Sequence, residues 1–249
     1  MHVLEMEQMM EHEMREAVTS HFPLDWKEDP ITHDLMKRLR NTFRNTTLYG
    51  TRFPLQLEWE IYKFHGRRET SHGDIGLFLR YRLPTGAAID AAGFLEAKIR
   101  GRNTTKFLQV RREQVTRVLA RSPQTRLLLY DYNAVAVLDG LDWDFPHPFR
   151  RAVYAHVTHG PVLPLQLAAT VNHYDDTLYR FCHSFAHQFT RRYFHLHDLD
   201  FSEQAVRAVQ GFPSELGSPG IIMVVRAAPQ GQELPEGFRP NDNTYGAIE

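Results

Sequence analysis

Apolar residues recur at two spacings along this chain, and the changes from one to the other lay out its elements. In residues 1–17, Val3, Leu4, Met6, Met9, Met10 and Met14 stand among five glutamates at helical spacing. A methionine-rich stripe packs adaptably, and its simplest role is to cover a core. Pro23 and Lys27-Glu28-Asp29 end this segment. A second helix is expected from Asp29-Pro30, with Asp29 as N-cap, because Ile31, Leu35, Leu39 and Phe43 follow at helical spacing. From Phe53 to Phe64 the period shortens to two. Leu55, Leu57, Trp59 and Ile61 share one face, and Gln56, Glu58 and Glu60 share the other, as in an edge strand with a solvated side.

The same period returns after Asp74, where Ile75, Leu77 and Leu79 alternate towards Arg80 and Arg82. Pro84-Thr85-Gly86 is a turn, and Ala88 to Arg100 forms the partner strand. A polar loop, Gly101 to Thr105, leads into a helix predicted from Lys106 to Arg121. Leu108, Val115, Val118 and Leu119 lie on its apolar side. Arg126 to Tyr132 reads as a central strand, and Ala134 to Leu138 as another. Further on come a loop at 142–148, an apolar patch at 161–171 and a helix from Asp175 to about His195. A late strand, Ile221 to Val225, precedes an extended or flexible tail after Pro229. This order predicts an α/β fold: a mixed central sheet flanked by helices, with a C-terminal helical extension. The expected divisions are an N-terminal helical segment (1–28), a core (29–140), an α/β extension packed on it (141–228) and a flexible tail (229–249).

Composition narrows the classes. A chain of 249 residues can bury one large core. No run of about 18 apolar residues spans a membrane, and the Met- and Glu-rich start is not expected to be a secretory signal. The single cysteine, Cys182, excludes an internal disulfide and a four-cysteine zinc site. A cytoplasmic location is expected. Net charge is near zero but unevenly spread: residues 60–126 hold 14 Lys/Arg against 6 Asp/Glu, whereas residues 1–34 hold 2 against 9. Such a basic block suits a polyanionic partner.

The candidate chemistry lies inside that block. Alternation puts Glu96 and Lys98 on one side of their strand and Ala97 on the other, facing a core. Asp74 begins the neighbouring strand. In an antiparallel hairpin the start of one strand lies beside the end of the next, so Asp74 and Glu96 are expected to meet. Two carboxylates beside a lysine suit a hard divalent cation and a phosphate.

Asp74 followed by Glu96-Ala97-Lys98 resembles the PD-(D/E)xK nuclease superfamily, with its restriction-endonuclease-like fold. The resemblance covers about residues 30 to 135. Gly73 stands where the family's name has proline, and Glu69 resembles an acid that some members carry on the preceding helix or loop. The resemblance implies a restriction-endonuclease-like core whose catalytic residues are Asp74, Glu96, Lys98 and Glu69. Asp74 and Glu96, with the Ala97 carbonyl, would hold Mg²⁺ or Mn²⁺. Lys98 would orient a water or stabilise charge on phosphorus, and the helix after Glu-x-Lys would lend Gln109 or Gln114. It implies an endonuclease that hydrolyses DNA, with RNA a lesser candidate, in a restriction or anti-phage defence setting. A homodimer or a partner protein of a defence complex fits that setting. Arg67, Arg68, Arg100, Arg102, Lys106, Arg111 and Gln114 are the expected nucleic-acid contacts. The alternative is a catalytically inactive nuclease-like module that binds nucleic acid or protein. A third reading is a zinc site on His183 and His187, with His195 and His197 nearby, although the glutamate of His-Glu-x-x-His is replaced by Ser184.

Overall fold

A computed structural model describes residues 1–51, 53–64, 73–108, 110–138, 155–212, 218–237, 240–241 and 245–248. Helix α1 (Val3–His21) buries Val3, Met6, Met10 and Met14, so the methionine stripe belongs to the main core. Helix α2 (Glu28–Phe43) buries Ile31, Leu35, Leu39 and Phe43. It begins two residues earlier than an N-cap at Asp29 implies. Lys27 is its N-cap, without a side-chain bond, and Asp29 lies inside the first turn.

The strands follow as β1 (Asn45–Leu48), β2 (Leu55–Phe64), β3 (Ile75–Arg82) and β4 (Ala88–Ile99). Helix α3 (Arg112–Arg121) leads to β5 (Arg126–Tyr130) and β6 (Val135–Leu138). Then come β7 (Ala155–Thr158), β8 (Pro161–Pro164), α4 (Leu165–Thr170), β9 (His183–Ser184) and α5 (Phe185–His187). Helix α6 (Glu203–Val209), β10 (Ile221–Pro229) and β11 (Tyr245–Ala247) complete the chain. The main sheet runs β1-β2-β10-β3-β4-β5-β8-β9, with β11 beside β2, while β6 and β7 form a separate pair. The fold is α/β with a mixed sheet: β3 and β4 are antiparallel, and β4 runs parallel to β5.

The two faces of the sheet pack differently because strand residues alternate. Trp59, Leu77, Ala97, Leu128 and Met223 face α1 and α2 in the largest apolar cluster. Phe78, Phe94 and Ile222 pack with Ala205 and Val209 of α6, and Leu127 and Leu129 pack with Val115 and Val118 of α3.

Several expectations are corrected by pairings distant in sequence. β2 is not an edge strand: β10 lies on one side of it, and β1 and β11 on the other. The late strand β10 is buried between β2 and β3, antiparallel to the first and parallel to the second. The segment 141–228 is therefore woven into the sheet through β8, β9 and β10 rather than laid on it. The helix expected from Lys106 starts only at Arg112, because Lys106 and Phe107 make strand-like bridges to Asp175 and Arg100. The single helix expected over 175–195 is broken at Cys182. A 3₁₀ segment, Asp176–Phe181, ends there in extended backbone. β9 then pairs with β8, and Ser184 caps a new start by accepting from the His187 N–H.

The tail is ordered where it is described. Tyr245 is 2% exposed, its hydroxyl donates to the Pro219 carbonyl at 2.7 Å, and the Ile248 N–H donates to Ile61. Tyr245→Ala would empty a filled aromatic site and is expected to cost roughly 3 kcal/mol. Guanidinium unfolding checks this: an unchanged midpoint is what a loose tail would give.

Candidate active site

The site forms where β4 outruns β3. Ile75 pairs with Leu95, so β4 continues through Glu96 to Ile99 beyond the start of β3, flanked there by β5. Just before β3, Gly73 has φ +93°. A Cβ there would lie 2.7 Å from the Leu95 carbonyl oxygen, so the chain passes against β4 only because the residue is glycine. Proline, fixed near φ −65°, cannot adopt this backbone. This approach delivers Asp74. Its N–H donates to the Leu95 carbonyl at 2.9 Å, and its Oδ2 accepts from the Ala97 N–H at 2.8 Å.

Glu96 and Lys98 point to the same side, as alternation requires, and Ala97 is buried on the opposite face. The Lys98 ammonium lies 2.6 Å from Glu96 Oε1 and 3.6 Å from Asp74 Oδ2, and donates to the Ala97 carbonyl at 2.6 Å. From α3, Gln114 Nε2 donates to Glu96 Oε1 at 2.5 Å. The helix after Glu-x-Lys thus lends a polar residue, as expected.

A further acid is present that the sequence reading missed. Glu28, in the first turn of α2, lies 3.3 Å from Lys98 Nζ. It approaches from 70 positions away, from the first turn of a helix that starts two residues before the expected Pro30. The acid run before Pro30 was its sole trace in the sequence. Glu69, expected to supply an acid from a preceding helix or loop, lies outside the described residues, as do Arg67, Arg68 and Gln109. Glu58 and Glu60 are on neither side of this cluster: Glu58 pairs with Arg226, and Glu60 accepts from the Tyr62 hydroxyl at 2.9 Å.

Three carboxylates thus share one ammonium, and the charge balance shifts their titration. Burial raises Glu28 to about 8, with Asp74 repulsion adding to it and Lys98 opposing. Burial and Asp74 likewise raise Glu96 to about 7, against Lys98. Burial disfavours the Lys98 charge, but Asp74, Glu96 and Glu28 together outweigh it and raise its pKa. Lys98 stays cationic near neutral pH, and the carboxylates compete for it.

The basic residues divide. Arg100 was expected to contact nucleic acid, but it is held by Asp131 at 2.8 Å and by the Thr104 carbonyl at 2.7 Å. Its side chain is 14% exposed, so it is committed to the fold. Arg102, Lys106 and Arg111 are exposed. The histidine pair does not make a zinc centre: His183 Nε2 shares a hydrogen bond with Gln188 at 2.6 Å. Among the described residues no three His, Cys, Asp or Glu side chains are gathered closely enough to hold a metal ion. No described helix is long and apolar enough to cross a membrane. No family model, curated protein or solved structure matches the chain.

The raised acids fix the sign of the pH dependence. In the window from 4.5 to about 8 the folded state binds more protons than the unfolded state, so stability falls as pH rises through it. Unfolding free energies measured from pH 5 to pH 8 are expected to decline, and Glu28→Gln is expected to flatten the decline. A slope unaltered in Glu28→Gln would remove Glu28 from the buried cluster.

Proposed function

We propose that the chain is a metal-dependent nuclease of the PD-(D/E)xK type that hydrolyses DNA phosphodiester bonds, with restriction or anti-phage defence as its setting. One observation carries this reading. Asp74, Glu96 and Lys98 come from a hairpin and converge with Glu28 at a strand end, where α3 fixes Glu96 through Gln114. The donors suit a hard divalent cation. They are all oxygens, and three carboxylates face a single ammonium. Asp74 and Glu96, with the Ala97 carbonyl, would hold Mg²⁺ or Mn²⁺, whereas Glu28 meets the site through Lys98 and is not a third carboxylate ligand. Such an ion lowers the pKa of a water and neutralises charge on the scissile phosphate.

The remaining work falls to the chain's own groups. Lys98, cationic and tethered to Glu96, donates to a phosphate oxygen as its charge grows. Gln114 keeps Glu96 oriented. Glu28, side chain 21% exposed and raised to about 8 by burial, lies beside Lys98 where, once ionised, it would accept a proton from the attacking water. Lys106 and Arg111, both exposed, are placed to meet backbone phosphates, and Arg102 is exposed although its guanidinium also donates to the Pro23 carbonyl. The second reading, a nuclease-like module that only binds nucleic acid or protein, is favoured by the closure of the pair: Glu96 is 3% and Lys98 4% exposed.

Single-turnover cleavage in Mg²⁺ separates the two. Lys98→Ala is expected to slow cleavage by about two orders of magnitude or more, with DNA affinity in Ca²⁺ little changed. Lys98→Arg is expected to recover little, because a planar guanidinium does not replace a compact ammonium. Mn²⁺ is expected to raise the melting temperature of the wild type but not of Asp74→Ala, a readout independent of turnover. A wild type that cuts neither DNA nor RNA, or a folded Lys98→Ala that cuts as fast, rejects the nuclease reading.

A further inference from the structure

The connection between α1 and α2 carries an apolar tip beside the acid cluster. Leu24 is 96% exposed and Phe22 37% exposed. Phe22 stacks on Tyr132, with ring centroids 4.3 Å apart and planes 18° apart, and Trp26 meets both rings edge-on at 5.5 and 5.6 Å. The tip is pinned to the strand that bears the site. The Trp26 indole donates to the Arg100 carbonyl at 2.7 Å, Arg102 donates to the Pro23 carbonyl, and the Arg100 guanidinium lies 5.5 Å from the Tyr132 ring centre. Tyr132 thus braces Phe22 from behind and leaves part of its ring to solvent. Cations border the tip: Arg102 at the Pro23 carbonyl, Arg100 over the Tyr132 ring, and Lys27, whose exposed ammonium lies 3.5 Å from Asp25.

We propose that Phe22 and Leu24 form a stacking platform for an unpaired base of the nucleic-acid strand whose phosphate lies at the acid cluster. The inference rests on the nuclease reading and names its substrate class: single-stranded or frayed nucleic acid, rather than continuous duplex. The spacing suits it. Leu24 precedes Glu28 by four residues, a reach of at most about 14 Å, which is about four base-pair rises along a strand. An aromatic face accepts any base, and an apolar side chain at its edge wedges between neighbours. A rigid platform also spares the entropy of ordering a loop on binding.

The test uses the full chain in Ca²⁺, with a 2-aminopurine-labelled single strand and a blunt duplex of the same sequence. The wild type is expected to prefer the single strand and to quench the probe. Phe22→Ala is expected to weaken single-strand binding about tenfold, with duplex binding unchanged and Phe22→Trp restoring affinity. Leu24→Ala, at a position too exposed to disturb folding, is expected to weaken single-strand binding to a smaller extent. If the wild type cuts DNA but both alanine variants bind the single strand as it does, the platform is wrong and the nuclease reading stands. If the wild type neither cuts nor binds either oligonucleotide, the nuclease reading falls and takes the platform with it. If the alanine variants alter only self-association in sedimentation, the tip belongs to a contact between copies of the chain, and the inference is overturned.

Discussion

The register of the β3–β4 hairpin is the constraint on which the candidate site depends. Ile75 opposite Leu95 and Arg82 opposite Ala88 fix every side chain between them. A slip of one residue would turn Glu96 and Lys98 to the face of α1 and α2 and bring Ala97 into the site. Two features oppose that slip. The turn around Gly86, whose φ is +89°, sets the register at one end. At the other, the Asp74 side chain and backbone both bond to β4. The arginines of β3 add a lock: Arg80 grips Asp90 with both Nε and Nη2, at 2.7 and 2.8 Å. The residue that holds the register, Asp74, is also the acid that faces Lys98.

Electrostatics then give the cluster its character. A buried ion pair repays its desolvation only when its geometry is good and its remaining atoms are bonded. Glu96 and Lys98 meet that condition through Gln114 and the Ala97 carbonyl. The cluster as a whole is not neutral, because two further acids lean on the same ammonium. Fully ionised, it would carry a surplus of negative charge in a site with little water, and protons relieve it in part. The Asp198 group shows the opposite balance. Arg126 at 2.5 Å and Arg192 at 2.8 Å overcome its burial and hold its carboxyl below the usual range. That group is a settled structural pairing, whereas the Lys98 cluster is short of cation.

Local signals in the sequence carried much of the hairpin and its chemistry. Period-two alternation, the Pro-Thr-Gly turn and the spacing of Glu96 from Lys98 gave β3, β4 and the meeting with Asp74, whereas Gln114 entered only beside Gln109, as one of two residues the family resemblance offered. What was not legible depends on distant partners. Glu28 read as part of the charged Lys27-Glu28-Asp29 stretch that ends the first segment, and only tertiary packing brings it to Lys98. Glu58 and Glu60 looked solvated because alternation does not show that β10 pairs alongside them. The helix predicted over 175–195 had the right apolar spacing, but β8 offers a strand partner at His183–Ser184, and pairing overrode the periodicity. Arg100 looked like a free cation because the buried Asp131 lies 31 positions on.

The placement of β10 has a consequence for synthesis. β2 and β3 are made early, yet their facing edges are joined by a strand that ends at Pro229. A chain emerging from the ribosome therefore carries two open, apolar strand edges until Ile221–Pro229 has been made, a state prone to pairing with other chains. Closing the gap also brings the Ile221 N–H to the Asp74 carbonyl at 3.0 Å, so the backbone of the hairpin's acid is secured last. The nascent protein thus passes through an aggregation-prone stage between the making of β3 and that of β10, and the segment carrying Asp74 is fully braced only once β10 is in place.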